Sequence, residues 1–345
     1  MALLERADWY DLARSTNWTP TYVGESELFP DVMTGAMGVP MAQWEGYDEP
    51  YKTSYAEYVR IQREKDAGAY SVKAALERSR LFEDADPGWL SILKSHYGAI
   101  ALGEYAAMSA EARMTRFGRA PGMRNMATFG MLDENRHAQI QLYFPHDYCS
   151  KDRQFDWAHK AYHTNEWGAI AARHAFDDLF LGRSAIEIAV MLTFAFETGF
   201  TNLQFIGLAS MARLVGDKMF EKMLTSIQTD EARHAQIGEA VMRVLVQHDK
   251  AYVQGLVDKW LWRSWRFFSI VTGLSMDYLT PVESRRQSFR EFVDEWVLGQ
   301  FDAALQRNGL ERPWYWDELV QSVDHYHHQV YLSAYTHRAT VWFDL

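Results

Sequence analysis

Residues 133–137 read Asp-Glu-Asn-Arg-His, and residues 230–234 repeat this pattern as Asp-Glu-Ala-Arg-His. Both copies lie within Met- and Ala-rich helical patterns. A Glu and a His three residues apart project from one face of a helix about one turn apart, so both side chains can bind the same metal ion. A single Glu-x-x-His is more often a solvated helix face, but two copies on separate helices argue against that reading.

A carboxylate in an apolar helical stretch precedes each repeat. Glu104 lies in the sequence GAIALGEYAA, and Glu197 lies in MLTFAFETGF. Because burying a lone carboxylate costs several kcal/mol or raises its pKa, a buried Glu in such a stretch needs a partner. Two helices that each give a Glu and two that each give a Glu-x-x-His form the site of ferritin-like dimetal proteins. We therefore predict an all-α, ferritin-like helical bundle with a buried dimetal carboxylate site.

The charge and type of the predicted ligands favour iron or manganese. Four carboxylates and two ferrous ions give a nearly neutral buried site, and oxygen-rich ligation with two imidazoles suits Fe or Mn better than Zn or Cu. A ligating His usually donates its other N–H to a carboxylate. We predict crossed pairs, His137 with Asp230 and His234 with Asp133, and expect Arg136 and Arg233 to offset the two added charges. Ordinary surface pairing is the alternative for these four Asp and Arg residues.

The rest of the chain is predicted to support one domain over residues 1–345. Residues 1–85 mix Pro, Gly and aromatic residues, which predicts a wrapping region with short helices. Residues 86–275 contain long, nearly Pro-free helical patterns, with helices expected at 153–181, 186–214 and 216–247, and form the predicted diiron core. Residues 276–345 are predicted to be a C-terminal helical section.

Composition excludes several classes of protein. The chain has 345 residues, 35 Lys and Arg against 46 Asp and Glu, and a net charge of −11, so nucleic acid and acidic membranes are poor partners. One Cys excludes a disulfide scaffold and an iron–sulfur cluster held by the chain itself. Without an apolar signal core or an uncharged run near the ~20 residues of a membrane helix, a cytoplasmic location with no membrane contact is expected.

Residues near the predicted ligands suggest an oxygenase. Thr201 follows Glu197 by four residues, so on an α-helix its hydroxyl overlooks the metals and can relay a proton or bind dioxygen; a bond back to the helix carbonyl is equally compatible. Small and apolar side chains outline a possible substrate pocket, although each is also an ordinary core residue. These are Ile100, Gly103, Ala107, Leu192, Phe196 and Phe205.

Together with these motifs, the stretches DEPYKTSYAEYVRIQREKDAGAYSVKAALER, LKSHYGAIALGEYAA, RNMATFGMLDENRHAQ and LTFAFETGFTN give the chain a family resemblance. It resembles the hydroxylase α (large) subunits of bacterial multicomponent diiron monooxygenases, most closely those of toluene monooxygenases. The resemblance implies that one iron is bound by Glu104, Glu134 and His137, and the other by Glu197, Glu231 and His234.

The resemblance also assigns further roles. It implies that Thr201, Glu104 and Glu231 take part in catalysis, and that Asn202 and Gln228 rearrange when an effector protein docks. It adds Phe176 to the pocket, while Phe180 departs from the smaller aliphatic residue that relatives often carry. Family members continue well past the position of Leu345, so the C-terminal part of the family is expected to be absent here.

Electrons must come from another protein. The chain has no Gly-rich dinucleotide motif, and reduction of dioxygen needs two electrons per turnover. The resemblance implies a Rieske-type ferredoxin fed by an NADH-dependent reductase, a small effector protein, and β and γ subunits in a dimer of αβγ units.

The function predicted from the sequence is hydroxylation of toluene- or benzene-type arenes to phenols with dioxygen. Epoxidation of alkenes on the same site is the first alternative. Ferritin-like iron storage is a second, and a radical-generating subunit, with Tyr105 as its candidate radical site, is a third.

Overall fold

Helices form the regular structure of the described residues, which confirms the all-α prediction. The computed structural model describes residues 6–15, 21–35, 38–48, 51–153, 155, 170, 173–174, 176–177, 184–279, 289–323 and 325. Most of the helix predicted at 153–181, including Phe180, lies outside these residues. The division into one domain with three sections stays a prediction.

Four short or peripheral helices precede the long ones. They are α1 (Arg6–Ser15), α2 (Glu25–Leu28), α3 (Asp31–Thr34) and α4 (Met41–Trp44). The long helices of the first half follow: α5 (Tyr55–Leu76), α6 (Pro87–Phe117) and α7 (Pro121–Tyr143), with a 3-10 turn at His146–Ser150. Asp86 caps α6, because its carboxylate accepts a hydrogen bond from the backbone N–H of Trp89 at 3.0 Å.

The second half contains two segments of π-helix. Helix α8 (Ala185–Ile188) continues as π1 (Ala189–Thr201) and then as α9 (Asn202–Leu214). The next helices are α10 (Lys218–Val246), α11 (Lys250–Leu279) and α12 (Phe289–Phe292). A second π-helix, π2 (Val293–Leu298), leads into α13 (Gly299–Arg307), and residues 316–323 are helical.

The helix expected at 186–214 is present, but its π1 segment is a π-helix rather than an α-helix. In a π-helix the backbone bond spans five residues, and the Thr198 hydroxyl likewise bonds to the Thr193 carbonyl five residues earlier at 3.0 Å. The α-helical spacing used to place Thr201 beside Glu197 therefore does not apply. Such segments often occur at functional sites.

Two helix pairs meet at the centre of the fold. Helices α6 and α7 pack as one pair, while π1 and α9 pack against α10 as the other. Contacts between α7 and α10 join the two pairs, α5 lies against α10, and α11 covers π1. Both Glu-x-x-His repeats therefore lie on helices that face each other in the interior. No helix in the described ranges is long and apolar enough to cross a membrane.

Candidate metal centre

Four helical segments bring six acidic and His side chains into the core. Helix α6 supplies Glu104 and π1 supplies Glu197, while each Glu-x-x-His repeat, on α7 and α10, supplies a Glu and a His. Glu104 is the most exposed of the six, at only 7%. The repeat residues are Glu134, His137, Glu231 and His234.

The six side chains form two overlapping clusters. In each cluster the possible ligand atoms lie within 4.8 Å of one another. The first cluster contains Glu104, Glu134, His137 and Glu231; the second contains Glu134, Glu197, Glu231 and His234. Glu134 and Glu231 belong to both, so their carboxylates lie between two positions for a metal ion.

The orientation of the two imidazoles fits metal binding. His137 Nδ1 lies 3.1 Å from Glu231 Oε1, and His234 Nδ1 lies 3.0 Å from Glu134 Oε1. Within the described part of the chain, both oxygens of Glu134 and the Nδ1 atoms of both His residues have no hydrogen-bond partner. Buried polar atoms normally have hydrogen-bond partners. A group of buried acceptor atoms that lack such partners and face one another is therefore suited to binding cations. The donor set therefore fits two iron ions.

The electrostatics of the cluster lead to the same conclusion. Burial, and then the charge of Glu231, raise the pKa values of Glu134 and Glu197 well above their usual range. Burial also raises the pKa of Glu231 to about 7. Without a cation, the carboxyl groups of Glu134, Glu197 and Glu231 therefore hold protons more strongly than usual, and divalent cations can take the place of those protons.

The two His residues differ in their charge preference. Burial opposes a proton on both, but the hydrogen bond to Asp230 and the nearby carboxylates of Glu134 and Glu231 raise the pKa of His137 well above its usual value. Burial, and then the positive charge of Arg233, lower the pKa of His234 well below its usual value.

Each His turns its other nitrogen to the Asp of the opposite repeat. His137 Nε2 lies 3.3 Å from Asp230 Oδ2, and His234 Nε2 lies 3.0 Å from Asp133 Oδ2. Because both Asp residues are fully buried, these contacts fix the imidazole rings with Nδ1 facing the cluster.

The two Arg residues of the repeats contact these carboxylates. Arg233 donates to Asp133 and lies 3.4 Å from Asp230. Arg136 donates to Asp66 at 2.7 Å and lies 3.5 Å from Asp230 Oδ2. Positive charge therefore lies beside both buried Asp residues.

Several contacting residues have no signal in the sequence. Gln62 and Lys65 on α5 donate to Asp230, and Gln62 and Tyr58 donate to Asp133. Gln141 donates to Glu104 Oε1 at 2.5 Å. A Gln or Lys on an amphipathic helix usually faces solvent, so spacing alone does not distinguish them.

The predicted pocket residues divide between two apolar clusters. Ala107, Phe176 and Leu192 lie in one, Phe205 lies in the other, and Ile100 packs against both. Phe196 packs against the first cluster. The side chains of Thr201 and Asn202 lie outside the described part, and Gln228 is half-buried. The roles of all these residues stay predictions.

Comparison with known protein families shows to which family the chain belongs. Residues 18–249 match the family model described as Methane/Phenol/Alkene Hydroxylase. The whole chain is 41% identical to the alkene monooxygenase oxygenase component subunit alpha of Xanthobacter autotrophicus, and the aligned part spans 69% of that protein. The chain belongs to this hydroxylase family. The resemblance to hydroxylase α subunits of multicomponent diiron monooxygenases is thereby confirmed.

Other hydroxylases of the family are more distant. The chain is 28% identical to the phenol 2-monooxygenase oxygenase component DmpN of Pseudomonas sp. over 94% of its length, and covers 63% of that protein. A crystal structure of xenon-pressurized phenol hydroxylase from Pseudomonas sp. OX1 superimposes with a TM-score of 0.85 at 26% identity, covering 97% of this chain and 68% of the other. A toluene 4-monooxygenase structure, at 15% identity and a TM-score of 0.64, shares the fold.

Proposed function

We propose that this hydroxylase chain binds two iron ions and uses dioxygen to insert one oxygen atom into a small, apolar, unsaturated hydrocarbon. The observation that supports the proposal is the pair of buried clusters that share Glu134 and Glu231. Glu104, Glu134 and His137 are the proposed ligands of one iron. Glu197, Glu231 and His234 are those of the other.

The iron pair, when bound, supplies the reduction of dioxygen that makes one oxygen atom electrophilic. The chain's own residues hold the proposed ligands in place and keep water away from them. Asp133 and Asp230 hold the two imidazoles, and the Gln141 amide holds Glu104 through Oε1. All six proposed ligands are buried, so bulk water is kept from the reacting atoms.

The proposed substrate is an arene, with a phenol as product. Ala107, Phe176 and Leu192 belong to one buried apolar cluster, and Phe196 packs against that cluster, which provides apolar surface. One oxygen atom of dioxygen enters the ring, and the other leaves as water with two protons and two electrons. Thr201 is the proposed residue for proton relay.

Epoxidation of an alkene is the second candidate. It is favoured by the 41% identical relative, which is named an alkene monooxygenase. An electrophilic oxygen would react with the π electrons of a ring or of a double bond alike, so one site could serve either reaction. Substrate preference then depends on the shape of the apolar pocket.

The electrons are proposed to come from partner proteins. The relatives are named as an oxygenase component or a component A alpha chain, which are names for parts of larger systems. A Rieske-type ferredoxin, an NADH-dependent reductase, a small effector and β and γ subunits remain the proposed partners, with two αβγ units per complex.

The test is product analysis with the complex assembled from the chain and its native partners. Toluene and propene are supplied separately with isotopically labelled dioxygen. Cresol with one labelled oxygen supports arene hydroxylation, whereas labelled propene oxide without cresol assigns the alkene reaction. Absence of both products in a complex that contains two irons per chain and accepts electrons would overturn the proposal.

Two remaining alternatives make different predictions. Iron storage requires loading far above two irons per chain. A radical subunit needs a Tyr near the metals, but Tyr105 is 56% exposed and thus points away from the buried clusters. Iron counting and electron paramagnetic resonance test these alternatives in the same preparation.

A further inference from the structure

Gln62 of α5 lies between the two buried Asp residues that hold the predicted iron-binding His side chains. Its Nε2 is 2.7 Å from Asp133 Oδ1 and 2.8 Å from Asp230 Oδ1. Gln62 is only 8% exposed, so water does not compete effectively for these contacts. One amide nitrogen thus joins side chains from α7 and α10.

The chemistry of a carboxamide suits this position. Both neighbouring oxygens belong to carboxylates, which accept hydrogen bonds, and an amide nitrogen carries two protons to donate. The orientation of the amide follows from the same contacts, because its oxygen in place of the nitrogen would face two acceptors. An ionised Glu at this position would donate to neither Asp.

The contacts continue through both Asp residues to the predicted ligands. Asp230 uses its other oxygen, Oδ2, for His137, and Asp133 uses Oδ2 for His234. The resulting chain of contacts runs from one imidazole to the other through a single amide group. Arg233 also lies near both carboxylates, at 3.4 Å from Asp230 Oδ1, but it comes from one of the repeats themselves.

Two neighbours of Gln62 serve only one half each. The Tyr58 hydroxyl donates to Asp133 Oδ1 at 2.9 Å, and Lys65 Nζ donates to Asp230 Oδ1 at 2.6 Å. Tyr58, Gln62 and Lys65 all belong to α5, so one helix supports both halves. This arrangement separates the contribution of Gln62 from that of its neighbours.

We infer that Gln62 is a positioning residue that couples the two halves of the proposed diiron site by fixing Asp133 and Asp230 together. The inference rests on the proposed function, because it assumes that the two clusters hold metal. Loss of the amide donors removes one hydrogen bond from each of the two Asp residues at once. Loss of the Tyr58 hydroxyl or the Lys65 amine removes a hydrogen bond from only one of them.

The test compares iron release from the assembled hydroxylase and its variants. Gln62→Met keeps an unbranched side chain of similar size but removes both donors, while Tyr58→Phe and Lys65→Met are the matched controls. Ferrous iron is counted per chain, its transfer to a chelator is followed over time, and Mössbauer spectra report the two iron environments. Thermal melting of the metal-free proteins measures general stability.

Gln62→Met is expected to release both irons ~10–100-fold faster than the unmodified protein. Tyr58→Phe and Lys65→Met are each expected to accelerate one iron and leave the other unchanged, which gives a release trace with two phases. A purely structural Gln62 lowers the melting temperature of the metal-free protein without changing the release of either iron. That result overturns the inference, and so does acceleration of one iron alone.

Gln62→Asn provides a second variant if Gln62→Met does not fold. It keeps the carboxamide but is one methylene shorter, so it no longer reaches both Asp residues, and faster release of both irons is again expected. Release at the unmodified rate overturns the inference. If the unmodified complex itself binds no iron, the proposed function fails instead, so the two failures are distinguishable.

Discussion

The carbonyl oxygen of Ala189 lies 2.6 Å from the position that a Cβ atom on Gly238 would occupy. Gly238 follows the second Glu-x-x-His repeat on α10, and Ala189 begins the π-helix that carries Glu197. The Thr193 hydroxyl, which bonds to the Ala189 carbonyl, is equally close to that position. The close approach of α10 to π1 therefore depends on the absence of a side chain at Gly238. The distance between Glu197 and Glu231, which these two helices carry, depends on it as well.

Gly238→Ala is expected to lower the free energy of unfolding by ~1–3 kcal/mol, because the new methyl group meets backbone that cannot move independently. It should also reduce the iron content by separating Glu197 from Glu231. Denaturant unfolding and iron analysis measure the two effects. Gly255→Ala is the control, since a Cβ at that exposed helical position meets nothing within 4 Å. Equal stability and iron content for Gly238→Ala and Gly255→Ala would contradict the packing role.

Where a pattern is local, the sequence predicts well both the helices and which candidate ligand side chains lie together. Glu134 and His137 are three residues apart on one helix, so helical geometry alone places them together. The repeat of that pattern at Glu231 and His234, with its preceding Asp, is what indicates crossed contacts between the helices. Helix α7 likewise begins at Pro121 and ends at Tyr143, two residues before Pro145, because Pro suits the first turn of a helix and cannot continue its hydrogen bonds.

Features that depend on distant contacts or on backbone choice are not predictable in this way. Gln62 meets Asp230 across 168 residues of sequence, and a lone Gln carries no sign of that partner. The residues of the π-helix Ala189–Thr201 are mostly apolar with some Thr, a composition that also occurs in α-helices, so the sequence does not indicate the π-helix. Glu111, fully buried with both oxygens lacking a hydrogen-bond partner among the described residues, also has no distinguishing pattern in the sequence.

Removal of a shared carboxylate should affect both metal positions. Because Glu231 belongs to both clusters and Glu104 to one, Glu231→Ala is expected to lose more iron than Glu104→Ala. His234→Ala should lose at least one of about two irons per chain. Metal analysis of the purified complexes measures the losses. Glu239→Ala, which removes a carboxylate paired with Arg307 on the outer side of α10, serves as the control. Full iron occupancy in Glu231→Ala and His234→Ala would refute the ligand assignment.

Replacing the buried Asp residues by neutral amides should weaken metal binding, because these Asp residues hold the two His side chains that are the predicted ligands. Asp133→Asn loosens His234, and Asp230→Asn loosens His137, with iron affinity or activity lowered ~10–100-fold in each case. Competition with a ferrous chelator measures the affinity. Asp302→Asn, which alters an exposed pair with Arg312, is the control for loss of an acidic group. Affinities equal to that control in both variants would show that the crossed contacts do not support the metals.

His96 should make stability depend on pH. Burial lowers its pKa from the usual value of 6.5 to about 4, so the folded state resists a proton that the unfolded state accepts below pH 6.5. The contribution of the neutral imidazole is complete above pH 6.5 and is lost as the pH falls towards 4. Between pH 7.5 and 5 the unmodified protein should lose about 2 kcal/mol more of its free energy of unfolding than His96→Leu.

Denaturant unfolding at the two pH values measures this difference for His96. His248→Leu removes an exposed imidazole and controls for the loss of a His residue. Because the carboxylates titrate in the same range in every variant, only the difference between variants is informative. Parallel pH profiles for His96→Leu and the unmodified protein would exclude the buried imidazole as a source of acid sensitivity.

Gly103 tests the proposed substrate pocket. It directly precedes Glu104 on α6, and a Cβ atom there would overlap the ring of Phe176, lying 2.8 Å from its Cε1. The space beside Gly103 is thus filled by a residue that is itself predicted to line the pocket. Gly103→Leu must displace this ring, and a displaced ring changes the apolar wall next to the metals.

We expect Gly103→Leu to keep an iron content near that of the unmodified complex, but to change which ring carbon of toluene is hydroxylated, or to lower arene turnover while sparing small alkenes. If Gly103 only permits close packing, overpacking should instead destabilise the fold by ~1–3 kcal/mol and lower all activities together. Cresol isomer ratios measured beside thermal unfolding distinguish the two cases, with Gly255→Leu as the control at an open, exposed helical position. An unchanged isomer ratio with a lower melting temperature would rule out the pocket role. If the Phe176 ring lined the pocket, its displacement would change the orientation of the bound toluene and therefore the isomer ratio.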